Sequence, residues 1–545
     1  MKASDLFVKC LENEGVEYIF GIPGEETLDL VDSLSRSNIK FVVTRHEQGA
    51  AFMADVYGRL THKPGVCLST LGPGATNLMT GVADAYLDRA PLVAITGQAS
   101  LEKMHKEAHQ YIDVVDTFKN ITNWNRKITR PDFIPEIVRK AFDIACDIPG
   151  SVHIELPEDI AADETHKNPL QTKTYSHKSE HDENELIKAV ELIKQSSRPV
   201  ILAGNGVTRE QSDRELAEFV DNVKIPVATT FMGKGTVPAD DDLYIGSVGL
   251  QKKDYLMCGF DVADLVICVG VDPVEYSPRM WNPDGSKTII HIHNKHPEID
   301  SSYLPECSLI GNLKHSLYSL TKNCGFEKGM TDSVAKLKQI MDNELISYMD
   351  DTSFPLKPQK ILHDIRTSFS RDDILISDVG AHKLWIGRLF PAYEPNTVQI
   401  SNGLASMGFA LPGAIAAKLV YPEKRVVAVA GDGGFMMNVQ ELETAKRLGC
   451  DLVVVIFNDS KYGVIEWNEI EKFKTSYGVD FSNPGFVQMA QSFGVNGVKI
   501  EATDELVPNL QNALEKGGIW VFDVEVDYKE NIKLGEKLRD MICKL

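Results

Sequence analysis

Two short polar turns in the C-terminal third carry the residue types for metal and phosphate chemistry. The apolar run 426–430 ends in Gly431-Asp432-Gly433-Gly434, and the run 452–457 ends in Asn458-Asp459-Ser460. As parallel strands they would deliver their polar ends to one edge of a sheet, where ligands of such folds bind. An Asp at each strand end can hold a hard divalent cation through oxygen. The glycines let backbone N–H groups approach a diphosphate. Magnesium suits the pair, because it prefers octahedral oxygen and shares its shell with phosphates. Either turn alone reads as an acid capping a helix; the two together at this spacing favour the metal.

Five further segments bear on the same chemistry. Arg45-His46-Glu47-Gln48-Gly49-Ala50-Ala51 follows a strand candidate, and a lone Glu there is ordinarily a solvated charge or a helix N-terminal acid. Ser401-Asn402-Gly403-Leu404-Ala405-Ser406-Met407-Gly408 holds a Met that, without its neighbours, would be core packing. Asp378-Val379-Gly380-Ala381-His382 follows another strand candidate, and Leu71-Gly72-Pro73-Gly74-Ala75-Thr76-Asn77 and Gly21-Ile22-Pro23-Gly24 are glycine-rich turns near the N-terminus. Ala203-Gly204-Asn205-Gly206 lacks the full dinucleotide fingerprint and its spaced acid, so it reads as a structural turn.

The elements that must position these residues are legible as short β-rich runs alternating with helical patterns, which predicts parallel-sheet α/β architecture. Candidates are 18–20, 40–44, 65–70, 91–96 and 151–156, then 199–203, 265–269 and 288–292, then 374–377, 426–430 and 452–457. The stretch 164–184 is polar and reads as a linker, a polar or helical connector leads to about 356, and the charged tail from 528 reads as a helix. At about 100–200 residues per domain, 545 residues suggest three domains. With 78 acidic against 57 basic residues, the net charge of −21 disfavours nucleic acid and anionic membranes as partners. No leader or membrane-length apolar run is apparent, and nine dispersed cysteines without a CxxC pair read as reduced thiols. A cytoplasmic enzyme is the expectation.

Gly-Asp-Gly followed about one βα unit later by an Asn-Asp pair resembles the signature of the thiamine-diphosphate enzymes. The resemblance implies that Asp432, Asp459 and the carbonyl of Lys461 hold magnesium, with Asp459 where the family more often has Asn. It implies that Glu47 shares a proton with N1′ of the cofactor's aminopyrimidine, so that the ring can deprotonate thiazolium C2; an oriented base matters greatly for so weak an acid. Met407 would sit under the bend of the cofactor, and the carbonyl of Ala405 would accept from its 4′-amino group. Gly380, Ala381 and His382 join Gly433 and Gly434 as diphosphate contacts, while Pro23, Pro73 and Asn77 lie on the pyrimidine side. Three doubly wound parallel-sheet domains are implied: pyrimidine-binding over 1–165, central over 185–325, and diphosphate- and magnesium-binding over 357–528.

Within that family the whole chain is most similar to acetolactate synthases, which join two pyruvates into 2-acetolactate. Ala108-His109-Gln110 has His where flavin-containing synthases have Phe, and Gln110 is implied to contact the bound intermediate. In Gly270-Val271-Asp272-Pro273-Val274-Glu275-Tyr276, Tyr276 stands where those enzymes have a substrate-contacting Arg, and Asn468 stands where they have Trp. The pattern resembles the catabolic type, and flavin is not expected. Glu26 departs from it, since catabolic synthases have Lys there and a Glu would repel a pyruvate carboxylate. Another thiamine-diphosphate-dependent 2-oxo acid decarboxylase or carboligase is therefore the alternative. A flavin or nicotinamide oxidoreductase lacks its fingerprint here, and a non-catalytic binding protein conflicts with intact Glu47, Asp432 and Asp459. The family arrangement implies a homodimer or homotetramer with Glu47 of one subunit facing Asp432 and Asp459 of another.

Overall fold

Strands of an all-parallel sheet are covered on both faces, so they read as near-continuous apolar runs rather than alternating ones. Every apolar run singled out in the sequence is a strand of a parallel sheet. The computed structural model describes residues 1–171, 180–250 and 256–539. The first sheet holds β1 (Tyr18–Gly21), β2 (Lys40–Val43), β3 (Gly65–Ser69), β4 (Leu92–Gln98), β5 (Trp124–Lys127) and β6 (Ser151–Pro157) in the order β2-β1-β3-β4-β6-β5. The second holds β7 (Pro199–Ala203), β8 (Val227–Thr230), β9 (Tyr244–Val248), β10 (Leu265–Val269), β11 (Thr288–His293) and β12 (Cys307–Ile310) in the order β12-β11-β10-β7-β8-β9. The third holds β13 (Ile374–Ser377), β14 (Val398–Ile400), β15 (Val426–Gly431), β16 (Leu452–Asn458), β17 (Asn496–Ile500) and β18 (Ile519–Glu525) in the order β14-β13-β15-β16-β18-β17. Every neighbouring pair is parallel.

The first and third sheets thus have the same strand order, and the middle sheet has the order of a dinucleotide-binding fold. In the third sheet the chain leaves β13 on one side for β14 and returns on the other as β15. This places a topological switch point between β13 and β15, with a crevice beyond their carboxyl ends. The corresponding switch in the first sheet lies between β1 and β3.

The first and third sheets do not keep separate cores. The helix Glu47–Thr61 packs against the helix Ala410–Val420 in one continuous apolar cluster that draws Phe52, Val56, Leu78, Ile376, Phe409, Ala414 and Val454 from both. Phe52 and Phe409 meet edge to face at 5.5 Å between ring centroids. Gly413 permits this approach, since a Cβ there would lie 3.0 Å from Val56 Cγ2 and from Ile376 Cγ2.

The expected linker 164–184 lies partly outside the described residues. What is described ties back to the first helix and the N-terminus, with Thr165 O accepting from the N-terminal ammonium at 2.8 Å and Leu170 O accepting from Asn13 Nδ2 at 3.0 Å. The connector before the third sheet carries a helix, Asp332–Ile346. The charged tail is helical over Lys529–Arg539, and 540–545 lie outside the described residues. Among the described residues no helix is long and apolar enough to cross a membrane. Cys10, Cys67, Cys268, Cys307, Cys324 and Cys450 are free thiols.

Candidate active site

The crevice beyond β13 and β15 opens into a cavity of about 380 Å³, within the size range of small-molecule sites. Its lining includes Gly380, Ala381, His382, Ala405, Met407, Asp432, Gly433, Gly434, Asp459 and Lys461. These are all the residues to which the family resemblance implies a role at the diphosphate, the metal or the bend. Met407 is half-buried at the wall, not sequestered in a core. Ala405 is exposed there in the left-handed region, at φ 56°.

Asp432 caps β15, and Asp459 follows β16, its immediate neighbour in the sheet. Asp432 Oδ2 accepts from Ser460 N at 2.6 Å, from Asp459 N at 3.3 Å and from Asn483 Nδ2 at 2.8 Å, and its Oδ1 accepts from Gly433 N at 2.8 Å. Burial lifts both carboxyls, and the adjacent Asp432 charge adds to the effect on Asp459, which rises to about 7. The Lys461 ammonium only partly offsets this at Asp459, because it pairs with Glu466 at 2.5 Å and Asp480 at 3.5 Å. Two crowded carboxylates with a backbone carbonyl nearby are a hard oxygen set that fits magnesium, whose remaining positions water and phosphate would fill. No cluster of three His, Cys, Asp or Glu side chains suited to a metal occurs among the described residues.

The other lining atoms fit a diphosphate. At Gly434 a Cβ would lie 2.6 Å from Asp378 Oδ1, and at Gly380 it would lie 2.7 Å from the His382 ring. At both turns, therefore, only glycine keeps the backbone this close to its surroundings. His382 Nε2 is buried without a hydrogen-bond partner, and burial holds the ring neutral, at about 3. An anion beside it would favour the protonated ring and would then accept from Nε2–H.

The first-domain candidates gather elsewhere, at the carboxyl edge of the first sheet, and none of them lines the cavity. Glu47 opens its helix behind His46, whose Nδ1 accepts from Gln48 N at 3.0 Å. The Glu47 side chain is buried, and its Oε2 accepts from Asn77 Nδ2 at 2.9 Å. Asn77 lies in the helix Pro73–Leu87, which starts at Pro73, a favoured first helical residue. Gly72, at φ 48°, lets Gln110 approach, since a Cβ there would lie 2.6 Å from Gln110 O. Gln110 is exposed in the left-handed region at φ 57°, and Pro23 and Pro73 are exposed on the same edge. Glu26 is half-buried, and its Oε2 accepts from Thr70 Oγ1 at 2.6 Å, beside the 71–77 turn. Tyr276 is buried in the middle-domain core, whereas Asn468 is exposed on the helix Gly463–Phe473, one turn beyond the cavity-lining Val464.

Three supporting acids escaped the sequence reading. Asp378, buried at the end of β13, accepts from Val379 N at 2.8 Å, Gly408 N at 2.9 Å and Ala410 N at 3.0 Å, and burial raises it to about 6. It fixes the far end of the 401–408 loop. Glu441 of the third domain accepts from His46 N at 3.0 Å and Arg45 N at 3.1 Å, and so fixes the start of the Glu47 helix. Asp88 holds the near end of the same 401–408 loop from the first domain. An acid at a strand end was the available signal for Asp378; Glu441 and Asp88 sit in amphipathic helical sequence with no local signal.

Comparison with known proteins agrees with the division seen in the sheets. Residues 1–117 match the thiamine pyrophosphate enzyme N-terminal TPP binding domain, residues 186–320 the central domain, and residues 378–524 the C-terminal TPP binding domain. An acetolactate synthase of Bacillus subtilis is 35% identical over 541 residues, covering 98% of this chain and 94% of its own. A probable acetolactate synthase large subunit of Methanocaldococcus jannaschii is 36% identical over 554 residues, covering 98% and 93%. A catabolic acetolactate synthase of Raoultella terrigena is 33% identical over 540 residues, covering 97% and 95%. Alike over nearly its whole length and matched domain for domain, the chain belongs to the thiamine pyrophosphate enzymes and, within them, to the acetolactate synthase family.

Proposed function

We infer that this enzyme decarboxylates pyruvate and joins the two-carbon unit to a second pyruvate, giving 2-acetolactate and carbon dioxide. The observation that carries this reading is likeness to acetolactate synthases over 97–98% of the chain, with a cavity at the third-sheet switch point. When bound, thiamine diphosphate would supply a nucleophilic carbon for the ketone of the substrate. Asp432, Asp459 and the Lys461 carbonyl would hold magnesium; Gly380, Ala381, His382, Gly433 and Gly434 would receive the phosphate oxygens. Met407 and Ala405 would support the cofactor from one side. Glu47, ordered by Asn77, holds and moves the proton at N1′ of the pyrimidine, and Pro23 and Pro73 wall that ring. Gln110 offers a neutral amide to the reacting carboxylate.

The working unit is at least a homodimer, in which Glu47 of one subunit faces the cavity of its partner. Supporting this, the two residue sets lie on separate sheet edges of one chain. Apolar side chains around the cavity stay uncovered, Leu404 at 36%, Met437 at 42% and Ile465 at 52% exposure. The acidic surface and free thiols favour the cytoplasm.

Flavin has no place in this reading. Supporting it, the turn after β7 is already satisfied from within the protein: Asn205 N donates to the buried Glu275 carboxylate at 3.0 Å, and Thr230 Oγ1 does so at 2.5 Å. The purified protein should be colourless and fully active without added flavin. A stoichiometric yellow chromophore whose removal abolishes activity would reverse this assignment.

The deciding experiment is incubation with pyruvate, thiamine diphosphate and magnesium, with acetolactate and acetaldehyde both assayed. Acetolactate should dominate. Glu26 favours the alternative, a decarboxylase or a different carboligase, because its charge lies at the pyrimidine-side edge. Its oxygen is engaged by Thr70, which turns the charge toward the protein. Replacing it by Lys should lower the apparent KM for pyruvate about three- to tenfold, the scale of one or two screened charge contacts. Acetaldehyde as the sole product, or a KM that rises in Glu26→Lys, would favour the alternative.

A further inference from the structure

The 401–408 loop carries Ala405 and Met407 into the cavity, and Ala405 sits at φ 56°, a region that L residues with a Cβ rarely adopt. Such a conformation persists only where its surroundings over-determine it. Those surroundings are a buried ionic cluster from the first domain. Arg59 Nε donates to Asp55 Oδ1 at 2.5 Å, and its Nη2 donates to Asp84 Oδ2 at 3.2 Å and Asp88 Oδ2 at 3.1 Å. Its Nη1 donates to Ile400 O at 2.8 Å, immediately before the loop. Asp88 then accepts from Asn402 N at 2.8 Å and Gly403 N at 2.6 Å. Asp84 accepts from Ser401 Oγ at 2.5 Å, and that hydroxyl in turn accepts from Ser406 N at 2.8 Å, closing the loop on itself. Gly403 is required by this contact, since a Cβ there would lie 2.8 Å from Asp88 Oδ1.

Burying three carboxylates around one guanidinium, with Lys383 nearby, is expensive unless every lone pair is used. Here the surplus acceptors are spent on the loop's backbone amides and serine. Only a planar five-donor fork reaches three carboxylates and a carbonyl at once, so Lys cannot replace Arg59.

We propose that Arg59, Asp84 and Asp88 are positioning residues that lock the 401–408 loop, and with it the left-handed Ala405 and the Met407 wall, in the cofactor-receiving shape before any cofactor arrives. The proposal rests on the thiamine-diphosphate reading above. It makes the first domain responsible for the shape of a site whose lining belongs to the third.

The test measures the intact protein twice. In the cofactor-free state, amide hydrogen exchange at Asn402, Gly403 and Ser406 should accelerate at least about tenfold in Asp88→Asn, while Asp378-bound Gly408 and Ala410 stay slow. With magnesium present, the Kd for thiamine diphosphate should rise about tenfold in Asp88→Asn and in Arg59→Lys. Adding Ala405→Gly to Asp88→Asn should recover most of that affinity, because glycine adopts positive φ without a Cβ penalty. A general loss of folding would not be rescued in this way. Wild-type protein that fails to bind thiamine diphosphate would overturn the cofactor reading itself. Wild-type binding with unchanged exchange and unchanged Kd in Asp88→Asn, or a loss of affinity that Ala405→Gly leaves intact, would overturn the positioning role alone.

Discussion

In Glu47→Gln protein, thiamine diphosphate should still bind, while exchange of its C2 proton for deuterium slows by at least about 100-fold, the lower end of what a positioned acid–base group contributes. Acetolactate formation should fall in step. Gln keeps the length of Glu47 and can still meet Asn77, so the helix start and its Glu441 clamp survive. What is lost is the ability to take and return a proton. Quenched-exchange NMR of the bound cofactor reads the step directly, and a wild-type exchange rate in the variant would remove Glu47 from the mechanism.

Asp432→Ala should lose the cofactor altogether, with Kd for thiamine diphosphate rising by more than about 100-fold. Even a group that merely orients a metal ligand is worth about 10- to 100-fold in affinity, and Asp432 is assigned as a ligand itself. The fold should survive, since the substitution removes a like charge from beside Asp459 in a site where burial already disfavours ionisation. Calorimetry with and without magnesium is the measurement, and tight binding in metal-free buffer would end the metal assignment. Mixed with Glu47→Gln under conditions that exchange subunits, the two inactive proteins should regain about one quarter of wild-type activity. Half of the dimers are then mixed, and each mixed dimer keeps one site with both residues intact. No recovery would place Glu47 and Asp432 of the same chain in one site.

The sequence announced the parts of this molecule that depend on local pattern. β15 and β16 are unbroken apolar runs because both sheet faces are covered, and their terminal aspartates stand out for the same reason. β5 and β17 were not singled out because they are edge strands with half-exposed faces and mixed composition. The cavity lining was legible because each of its turns has glycine or acid at a strand end. The clamps were not. Asp88 meets Gly403 across 315 positions and Glu441 meets His46 across 395, so nothing within a helical turn of either marks its task. The core shared by the first and third sheets was equally invisible, since an apolar face does not state which helix will cover it.

That shared core also sets an order of events during synthesis. The helix Glu47–Thr61 leaves the ribosome with its apolar face bare, and its cover, Ala410–Val420, follows about 350 residues later. At about 5–20 residues per second the wait is roughly 20 to 70 s. The middle domain, with clusters of its own, can close in the interval. The nascent first domain cannot bury that face without the third, so it stands as a natural client for chaperones and a point where slow translation or truncation would feed aggregation.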